Sequence, residues 1–376
     1  MRKTRVALIF GGRSAEHEVS LQSAKSIVDA IDRTRFELVL VGIDKAGGWH
    51  RYREAEYLLN ADDPARIALR PSGTELAVVP GRGDRGMVEI GKGAARADAP
   101  EDGPVDVVFP VLHGPFGEDG TVQGYLRLAG VPFVGAGVLG SAVGMDKDVA
   151  NRLLRDAGIP KARFHVLRSF EQAGVPFEDL ARELGLPMFV KPANLGSSVG
   201  ISKVSTQAEL DRGLVQAFRY DTKVVVEQFI DGREIECAVL GNDRPEASVA
   251  GEVVPDAKHG FYSYEAKYLD EHGARLDIPA SLEPDTARRV RELACRAFTV
   301  LGCEGMARVD FFLTPSGELY VNEINTIPGF TRISMYPKLW EASGLAYPRL
   351  IERLIELAVE RHEREAKLQT SVGRTT

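Results

Sequence analysis

The N-terminal third of the chain contains three uninterrupted apolar runs, each followed at once by glycine or by polar residues. They read RVALIFGG at 5–12, FELVLVGID at 36–44 and VDVVFPVLHG at 105–114. A continuous apolar run predicts a strand that is buried on both faces, as in a parallel sheet. After the first run, apolar residues recur at helical spacing over positions 19–31. This alternation predicts an α/β fold that begins with a small, doubly wound domain, whose ligands would lie at the carboxyl ends of its strands.

The composition argues against several classes of protein. The 376 residues carry a formal net charge of −7, so the chain lacks the excess of Lys and Arg that nucleic-acid binding requires. Its three cysteines, Cys237, Cys295 and Cys303, have no CxxC spacing, which argues against a disulfide framework or a structural zinc site. No stretch approaches the roughly 18 consecutive apolar residues of a membrane span, and the first apolar run is too short for a signal peptide. We therefore expect a cytoplasmic protein that binds neither nucleic acid nor membrane.

The order of predicted elements, which include helices near 145–158, near 285–301 and from about 346, divides the chain into three regions. We predict an N-terminal α/β domain over 1–144, a central region over 145–226 and a C-terminal region over 227–376. A stretch of the first region, about 61–104, is rich in Ala, Arg, Gly and Pro. It is predicted to be a surface insertion that contains one hairpin.

The loop KPANLGSSVG, at 191–200, is unusually rich in glycine and serine. The strand PMFVKP leads into it and the strand ISKV follows it, so the loop is predicted to be the long tip of a hairpin. A P-loop would carry its lysine after the glycines and would continue into a helix. Two interpretations stay open at this point: an ordinary surface turn, or a flap whose backbone amides and hydroxyls cover an anion.

A second hairpin, ARVDFFL-TPSG-ELYVNEIN, collects carboxylates and an amide. If the first and last residues of TPSG close the turn, Arg308 faces Glu323. Side chains alternate across a strand, so one face carries four polar residues. They are Arg308, Asp310, Glu323 and Asn325. Asp, Glu and Asn oxygens suit Mg²⁺, which completes its shell with water and phosphate oxygens. The alternative is a charged, solvated face, but the loop NTIPGFT directly after the second strand favours a functional site.

Seven segments, in this order and spacing, resemble the D-alanine–D-alanine ligase family of the ATP-grasp superfamily. They are GGRSAEHEVSLQSA, HGPFGEDGTVQG, GMDK, VKPANLGSSVG, YEAKY, ARVDFF and VNEINTIPGFTRISMYP. The match extends over nearly the whole chain. The resemblance implies an ATP-grasp fold of three α/β domains, in which a doubly wound pre-ATP-grasp domain precedes two ATP-grasp subdomains. It also implies a homodimer that joins two D-alanines through an acyl phosphate, at the expense of ATP, for peptidoglycan precursor synthesis.

The same resemblance implies residues that hold ATP and its metal ion. The ATP contacts would be Lys147, Lys191, Ser197, Ser198, Glu227, Phe229, Ile230 and Glu234. The two lysines would lie against the α- and β-phosphates, and the two serines would belong to the flap that closes over them. The first glutamate and the backbone of the two apolar residues would hold the adenine, and the second glutamate would hold the ribose. Asp310, Glu323 and Asn325 would hold Mg²⁺, two ions in this family, for which Mn²⁺ can substitute.

Six residues are implied in substrate binding and catalysis: Glu16, Ser197, Tyr268, Arg308, Gly329 and Ser334. The glutamate would hold the ammonium group of the first D-alanine, and the flap serine and the tyrosine would join it in a hydrogen-bonded network. The arginine and the glycine N–H would form an oxyanion hole. The last serine would hold the carboxylate of the second D-alanine.

Alternatives remain for the reaction and for single residues. A D-alanine–D-lactate or D-alanine–D-serine ligase would share the fold and the mechanism, and Tyr268 in the YEAKY segment favours D-alanine as the second substrate. A non-catalytic nucleotide-binding protein of this fold would be expected to lose Arg308, the carboxylates or the flap serine, and all are present. Glu16 could instead sit in the first turn of a helix, where the helix dipole favours it. Lys147 could be a solvated lysine at a helix start.

Overall fold

The computed structural model describes residues 2–64, 66–71, 74–78, 87–90, 104–171, 176–197, 199–255 and 274–369. Within these ranges the chain forms three sheets of four or more strands, with helices packed against them. The α/β class is therefore confirmed. None of the helices in the described ranges is both long enough and apolar enough to cross a membrane.

The first sheet has six strands in the order β7-β6-β3-β2-β1-β8, and a two-stranded ribbon pairs β4 with β5. These strands are β1 (Thr4–Gly11), β2 (Phe36–Ile43), β3 (Trp49–Tyr52), β4 (Leu58–Leu59), β5 (Ala68–Leu69), β6 (Glu75–Val78), β7 (Met87–Ile90) and β8 (Val107–Val111). The central strands β2, β1 and β8 are parallel, and the remaining three extend the sheet in antiparallel fashion. The antiparallel pair β6–β7 confirms the hairpin predicted within the 61–104 insertion.

Side chains of β1 alternate between two hydrophobic cores. Val6, Leu8 and Phe10 pack against the face that carries α1 (His17–Ala30), and Ala7 and Ile9 pack against the face that carries α2 (Thr121–Ala129). All five side chains are fully buried. Both faces of the parallel strands are therefore covered by helices, as predicted for a doubly wound domain.

The second and third sheets are antiparallel, in the orders β11-β10-β12-β9 and β15-β14-β13-β16-β17. Their strands are β9 (Phe164–Arg168), β10 (Met188–Pro192), β11 (Ser202–Val204), β12 (Lys223–Gln228), β13 (Arg233–Gly241), β14 (Glu246–Pro255), β15 (Ala274–Asp277), β16 (Gly305–Leu313) and β17 (Leu319–Asn325). The pairing of β10 with β11 confirms that KPANLGSSVG is a hairpin tip. Strand β12 runs two residues past the predicted boundary at 226–227, and the division into domains stays a prediction.

The remaining helices pack against these two sheets and against the first sheet. They are α3 (Val138–Met145), α4 (Lys147–Asp156), α5 (Phe177–Leu184), α6 (Gln207–Ala217), α7 (Pro284–Val300), α8 (Met335–Ala342) and α9 (Tyr347–Ala366). Helices α5 and α6 share a core with the second sheet, and α4 and α7 share one with the third sheet. The predicted helices near 145–158, 285–301 and from 346 onward correspond to α4, α7 and α9.

Helix α9 packs into a core that contains residues of both the first and the third sheet. Its buried Arg361 donates hydrogen bonds to the carbonyl oxygens of Phe133 and Gly135, at 2.7 and 2.5 Å. Its first residue, Tyr347, donates a hydrogen bond of 2.6 Å to the carbonyl oxygen of Phe330. The last helix therefore holds the first sheet and the loop that follows β17 in one packed unit.

The register of the β16–β17 hairpin differs from the prediction. The loop has three residues, 315–317, because the Thr314 N–H donates to the carbonyl oxygen of Glu318 at 2.9 Å and Gly317 has a φ of 82°. A turn followed by a glycine in the left-handed region is the usual three-residue hairpin loop. Further along, a β-bulge shifts the pairing so that Asp310 faces Glu323. The bulge adds one residue to β17, and it therefore returns the predicted polar residues to one face.

Alanine substitution at two glycines should change the free energy of unfolding in opposite directions. Gly317 has positive φ, so Gly317→Ala should lower the free energy of unfolding by about 1 kcal/mol, although a Cβ there would meet nothing within 4 Å. Gly124 lies inside α2, where a Cβ also meets nothing within 4 Å, so Gly124→Ala should raise it by about 0.5–1 kcal/mol. Urea unfolding of both variants checks this. The same sign for both would contradict the assigned backbone conformations.

Candidate active site

A cavity of about 400 Å³ lies between the second and third sheets, beneath the β10–β11 loop. Residues of both sheets and of their connections line it, among them Lys147, Lys161, Lys191, Ser197, Glu227, Phe229, Ile230, Glu234 and Glu323. All the residues predicted to contact ATP are in this set except Ser198, which lies outside the described residues. The fold therefore brings these residues together, and their individual contacts to a nucleotide stay a prediction.

The buried carboxylate of Glu227 is surrounded by cations and amides. Its Oε2 lies 2.7 Å from Lys191 Nζ, and its Oε1 accepts a hydrogen bond of 2.8 Å from Asn151 Nδ2 and lies 3.9 Å from Lys161 Nζ. Burial would raise the pKa of Glu227, but the charges of Lys191 and Lys161 outweigh it and lower this pKa to about 2. Glu227 is therefore an anion that holds two ammonium groups at one end of the cavity.

Lys161 was not identified from the sequence. Its side chain is 4% exposed and donates a hydrogen bond to the carbonyl oxygen of Asn322 at the bulge of β17. Burial lowers the pKa of Lys161 to about 8, even though Glu227 and Glu323 act in the opposite direction. In the sequence this lysine follows a proline in a short connection, with no periodic pattern around it. Its place in the cavity lining and its distance from Glu227, which the structure provides, indicate that it belongs to the site.

Lys147 is a cavity residue and not a solvated lysine at a helix start. Its side chain is 13% exposed, and its Nζ donates a hydrogen bond of 2.7 Å to the Leu195 carbonyl oxygen and lies 3.8 Å from Glu323 Oε2. Its backbone N–H donates to the Ala193 carbonyl oxygen at 3.0 Å. Asp146 caps the helix by accepting from a backbone N–H of the first turn. Lys147 therefore links the base of the β10–β11 loop to a predicted metal ligand.

Arg308 is held between two carboxylates on neighbouring strands. Its Nε and Nη2 donate to the two oxygens of Asp310 at 2.7 Å each, and its Nε lies 2.8 Å from Glu236 Oε2. Although burial opposes its charge, Asp310 and Glu236 raise the pKa of Arg308 well above its ordinary value. Glu236 lies on β13 opposite Asp310. It was not identified from the sequence.

The predicted metal ligands occupy one face of the β16–β17 hairpin. Asp310 and Glu323 are cross-strand partners, and Asn325 Nδ2 donates to Asp310 Oδ2 at 3.0 Å. Rotation of this amide by half a turn would present its oxygen to the same point. No group of three or more His, Cys, Asp or Glu side chains suited to a metal ion occurs in the described part of the chain. Two carboxylates and an amide fit Mg²⁺, which takes the rest of its shell from water and phosphate.

Glu16 connects the first sheet to the β10–β11 loop. It lies directly before α1 and makes no side-chain cap to that helix. Its Oε1 instead accepts a hydrogen bond from the Ser197 hydroxyl. A Cβ at Gly114 would lie 2.8 Å from Glu16 Oε2, so a larger residue would collide with this carboxylate. Tyr268, the predicted third member of this network, lies outside the described residues.

The loop after β17 is held by residues that follow strands of the first sheet. His113 Nδ1 donates to the Ile327 carbonyl oxygen at 2.9 Å, which leaves Nε2 of a neutral imidazole as an acceptor. The Ser23 hydroxyl lies 3.2 Å from Nε2 and accepts from the Phe330 N–H at 3.2 Å. Burial lowers the pKa of His113, in keeping with the neutral ring. Glu118 accepts from the Ile327 N–H at 3.0 Å. The sequence indicated none of these contacts.

Gly329 and Ser334 lie at the far side of the same loop. A Cβ at Gly329 would be 3.1 Å from Ser334 Oγ. This hydroxyl lies 2.7 Å from Thr331 Oγ1 and accepts from the Thr331 N–H at 3.2 Å. The structure thus places Gly329 next to Ser334.

Removal of the Lys191 charge should destabilise the fold, because the buried Glu227 carboxylate would lose its nearest cation. We expect Lys191→Met to lower the free energy of unfolding by about 3 kcal/mol. The Lys191→Met/Glu227→Gln double variant should show a smaller decrease, because it leaves no unpaired carboxylate at this position. The control is Lys25→Met, which breaks an exposed pair with Asp29 and should cost about 0.5 kcal/mol or less. Urea unfolding measures all three, and a Lys191→Met cost no larger than the control would contradict the buried pair.

The same variant should show a defined pH dependence. The folded-state pKa of Glu227 is about 2, below its ordinary value of 4.5. The stabilisation from the Lys191 pair is therefore fully present above about pH 4.5 and is lost as the pH falls toward 2. The difference in unfolding free energy between the parent protein and Lys191→Met should shrink from pH 5 to pH 3.

Comparison with known proteins agrees with this geometry. The family models "D-ala D-ala ligase N-terminus" and "D-ala D-ala ligase C-terminus" match residues 5–136 and 153–356. The D-alanine–D-alanine ligase of Shouchella clausii is 56% identical over 372 residues, which cover 99% of each chain. D-alanine–D-alanine ligase A of Escherichia coli K12 is also 56% identical over 372 residues, 99% of this chain and 100% of the relative.

Solved structures extend this likeness to the fold. The D-alanine–D-alanine ligase from Coxiella burnetii superposes with a TM-score of 0.82 at 38% identity, over 98% of this chain and 97% of that one. The VanG D-Ala:D-Ser ligase from Enterococcus faecalis superposes with a TM-score of 0.81 at 38% identity, over 95% of this chain and all of that one. With both family models matched and full-length relatives at this identity, the chain belongs to the D-alanine–D-alanine ligase family and has its ATP-grasp fold.

Proposed function

We propose that the protein is an ATP-dependent ligase that joins two D-alanines to D-alanyl-D-alanine, with release of ADP and phosphate, for peptidoglycan precursor synthesis. The observation that carries the proposal is the cavity, in which three lysines and a carboxylate hairpin converge beneath a glycine-rich loop. Phosphoryl transfer depends on positioning and on neutralisation of charge, and this cavity offers both. The relatives that match the whole chain carry the same activity in their names.

In the first step, the carboxylate of one D-alanine attacks the γ-phosphate of ATP and forms an acyl phosphate. Lys147 and Lys191, 13% and 12% exposed, both line the cavity and supply positive charge for the α- and β-phosphates. When nucleotide enters, its phosphates compete with Glu323 and Glu227 for these ammonium groups. The adenine would lie near Glu227 and the backbone of Phe229 and Ile230, and Glu234 would hold the ribose.

Mg²⁺, when bound, supplies neutralisation of the phosphate charge. Asp310, Glu323 and Asn325 would hold it, and the pairing of Arg308 with Asp310 supports this, because it places positive charge at one of these carboxylates. A second ion and substitution by Mn²⁺ follow from the family resemblance.

In the second step, the amine of the other D-alanine attacks the acyl phosphate and displaces phosphate. Arg308 and the Gly329 N–H would stabilise the negative oxygen of the tetrahedral intermediate, a type of contact worth a few kcal/mol in the barrier. Glu16 would hold the ammonium group of the first D-alanine, and Ser334 would hold the carboxylate of the second.

The β10–β11 loop would act as a flap that excludes water from the acyl phosphate. Its Ser197 donates a hydrogen bond to Glu16, so closure of the loop and binding of the first D-alanine would involve the same carboxylate. Exclusion of water is a known use of such loops, because it prevents hydrolysis of a reactive intermediate. Ser198 and Tyr268 are assigned to the flap and to its network by resemblance alone.

The main alternative is a ligase with another second substrate. A D-Ala:D-Ser ligase superposes on this chain nearly as well as a D-alanine–D-alanine ligase does, so the fold does not distinguish the two. Tyr268 and the names of the 56% identical relatives favour D-alanine. A homodimer and a cytoplasmic location are further parts of the proposal, and both rest on the family resemblance.

The activity is tested by a product assay. With Mg-ATP and D-alanine we expect D-alanyl-D-alanine and an equal amount of phosphate, whereas L-alanine should give neither. Parallel reactions add D-lactate or D-serine, and mass spectrometry identifies the products. A dominant mixed product would change the assigned second substrate, and an absence of phosphate release in every reaction would overturn the proposal.

The metal ligands are tested by Asp310→Asn. We expect the turnover number to fall by at least about 100-fold, because the acyl phosphate forms with less charge stabilisation. Calorimetric titration of Mg²⁺ in the presence of ADP should show weakened binding. Glu318→Gln is the matched control, since Glu318 lies in the exposed turn of the same hairpin. Unchanged Mg²⁺ binding by Asp310→Asn would place the metal elsewhere.

A further inference from the structure

The backbone of Ile327 is held on both its polar atoms by one loop of the first sheet. Its N–H donates to Glu118 Oε1 at 3.0 Å, and its carbonyl oxygen accepts from His113 Nδ1 at 2.9 Å. Both side chains come from the connection between β8 and α2, more than 200 residues earlier in the chain. Ile327 stands two residues before Gly329, whose N–H is assigned to the oxyanion hole.

Glu118 also organises its own loop. Its second oxygen, Oε2, accepts a hydrogen bond of 2.7 Å from the Gly114 N–H. The two oxygens of one carboxylate therefore face two backbone donors, one from each side of the contact between the first and third sheets. The Gly114 N–H adjoins His113, so the same carboxylate helps to place both contacts to Ile327.

The backbone around Gly329 is not stabilised by the hydrogen bonds of a helix or a strand. It lies between β17 and α8, outside any helix or strand, and Pro328 has no N–H to donate. On the other side of Gly329, the Phe330 N–H donates to Ser23 Oγ and the Phe330 carbonyl oxygen accepts from Tyr347. The position of the Gly329 N–H thus depends on contacts immediately before and after it, and Glu118 makes the first of them.

A carboxylate is an electrostatically demanding choice at this place. Burial and the nearby Glu16 raise the pKa of Glu118, whereas the two N–H donors and the charge of Arg308 lower it by stabilising the ionised form. The charged groups that act on it are Glu16 and Arg308. An ionised carboxylate offers two acceptor oxygens to the two N–H donors, whereas an amide offers only one.

We propose that Glu118 is a positioning residue for the ligation reaction, which holds the loop 326–330 so that the Gly329 N–H points at the reacting carbonyl. The inference rests on the proposed function. It assigns to Glu118 no contact with substrate, since its effect passes through Ile327. Misplacement of a donor by about 1 Å is enough to cost on the order of 100-fold in rate.

The test compares Glu118→Gln with Asp119→Asn. In Glu118→Gln the amide NH₂ meets a backbone N–H, so one of the two hydrogen bonds is lost and the loop shifts. Asp119 accepts from the Phe116 and Thr121 N–H groups within its own loop and does not contact Ile327, so Asp119→Asn removes a neighbouring carboxylate without this effect. The readouts are the turnover number, KM for ATP, melting temperature, and the ratio of phosphate released to dipeptide formed.

For Glu118→Gln we expect a turnover number about 10- to 100-fold lower, an unchanged KM for ATP, and more than one phosphate per dipeptide. The excess phosphate arises because the acyl phosphate still forms but reacts more slowly with the amine and is lost to water. Asp119→Asn should keep parental turnover and a ratio of one. A melting temperature close to that of the parent separates misplacement from unfolding.

Two outcomes would overturn the inference. One is parental turnover and a ratio of one for Glu118→Gln. The other is a loss of activity with a ratio that stays at one and a raised KM for ATP, which would indicate a general defect of the site. If the parent protein itself forms no dipeptide, the proposed function fails, and that result is read from the parent alone. A further variant, Ser23→Ala, releases the Phe330 N–H and should raise the same ratio.

Discussion

The core shared by the first sheet, the third sheet and helix α9 is the contact on which the candidate site depends. Glu16, His113 and Glu118 come from the first sheet's loops, whereas Arg308 and Gly329 belong to the third sheet and the loop beyond it. These groups can cooperate only if the two sheets keep a constant relation. Buried hydrophobic side chains supply the free energy for this, and Arg361 and the hydrogen bonds at Phe330 fix its geometry.

The electrostatics of the cavity follow from pairing of buried charges. Lys191 and Lys161 face Glu227, Lys147 faces Glu323, and Arg308 faces Asp310 and Glu236. A buried ion without a partner would be strongly destabilising, and each of these cations has an anion near it. A polyphosphate with a divalent ion brings charges of both signs. In the proposed function, the phosphates would lie at Lys147 and Lys191, and the metal ion would lie at Asp310 and Glu323.

Much of this arrangement was predictable from local sequence. The buried strands, the flap hairpin, the helices α4, α7 and α9 and the shared face of Arg308, Asp310, Glu323 and Asn325 all follow from spacing of residues along the chain. The hairpin also shows the limit of such reasoning. A three-residue loop alone would have turned Glu323 and Asn325 to the opposite face, and the bulge in β17 restores them. The predicted face was correct although the predicted register was wrong. The longer loop and the bulge each shift the pairing by one residue, and a total shift of two residues returns a side chain to the same face of a strand.

By itself, the sequence determined the types of the elements, the residues that share a face and, through the long motifs, the family. These depend on contacts between neighbours along the chain or on patterns that survive in relatives. The tertiary structure decided that Lys161 faces Glu227, that Glu236 holds Arg308 and that Glu118 holds the backbone of Ile327. In each case the partners are more than 60 residues apart. Their proximity depends on how the sheets and helices pack, and no local spacing encodes it.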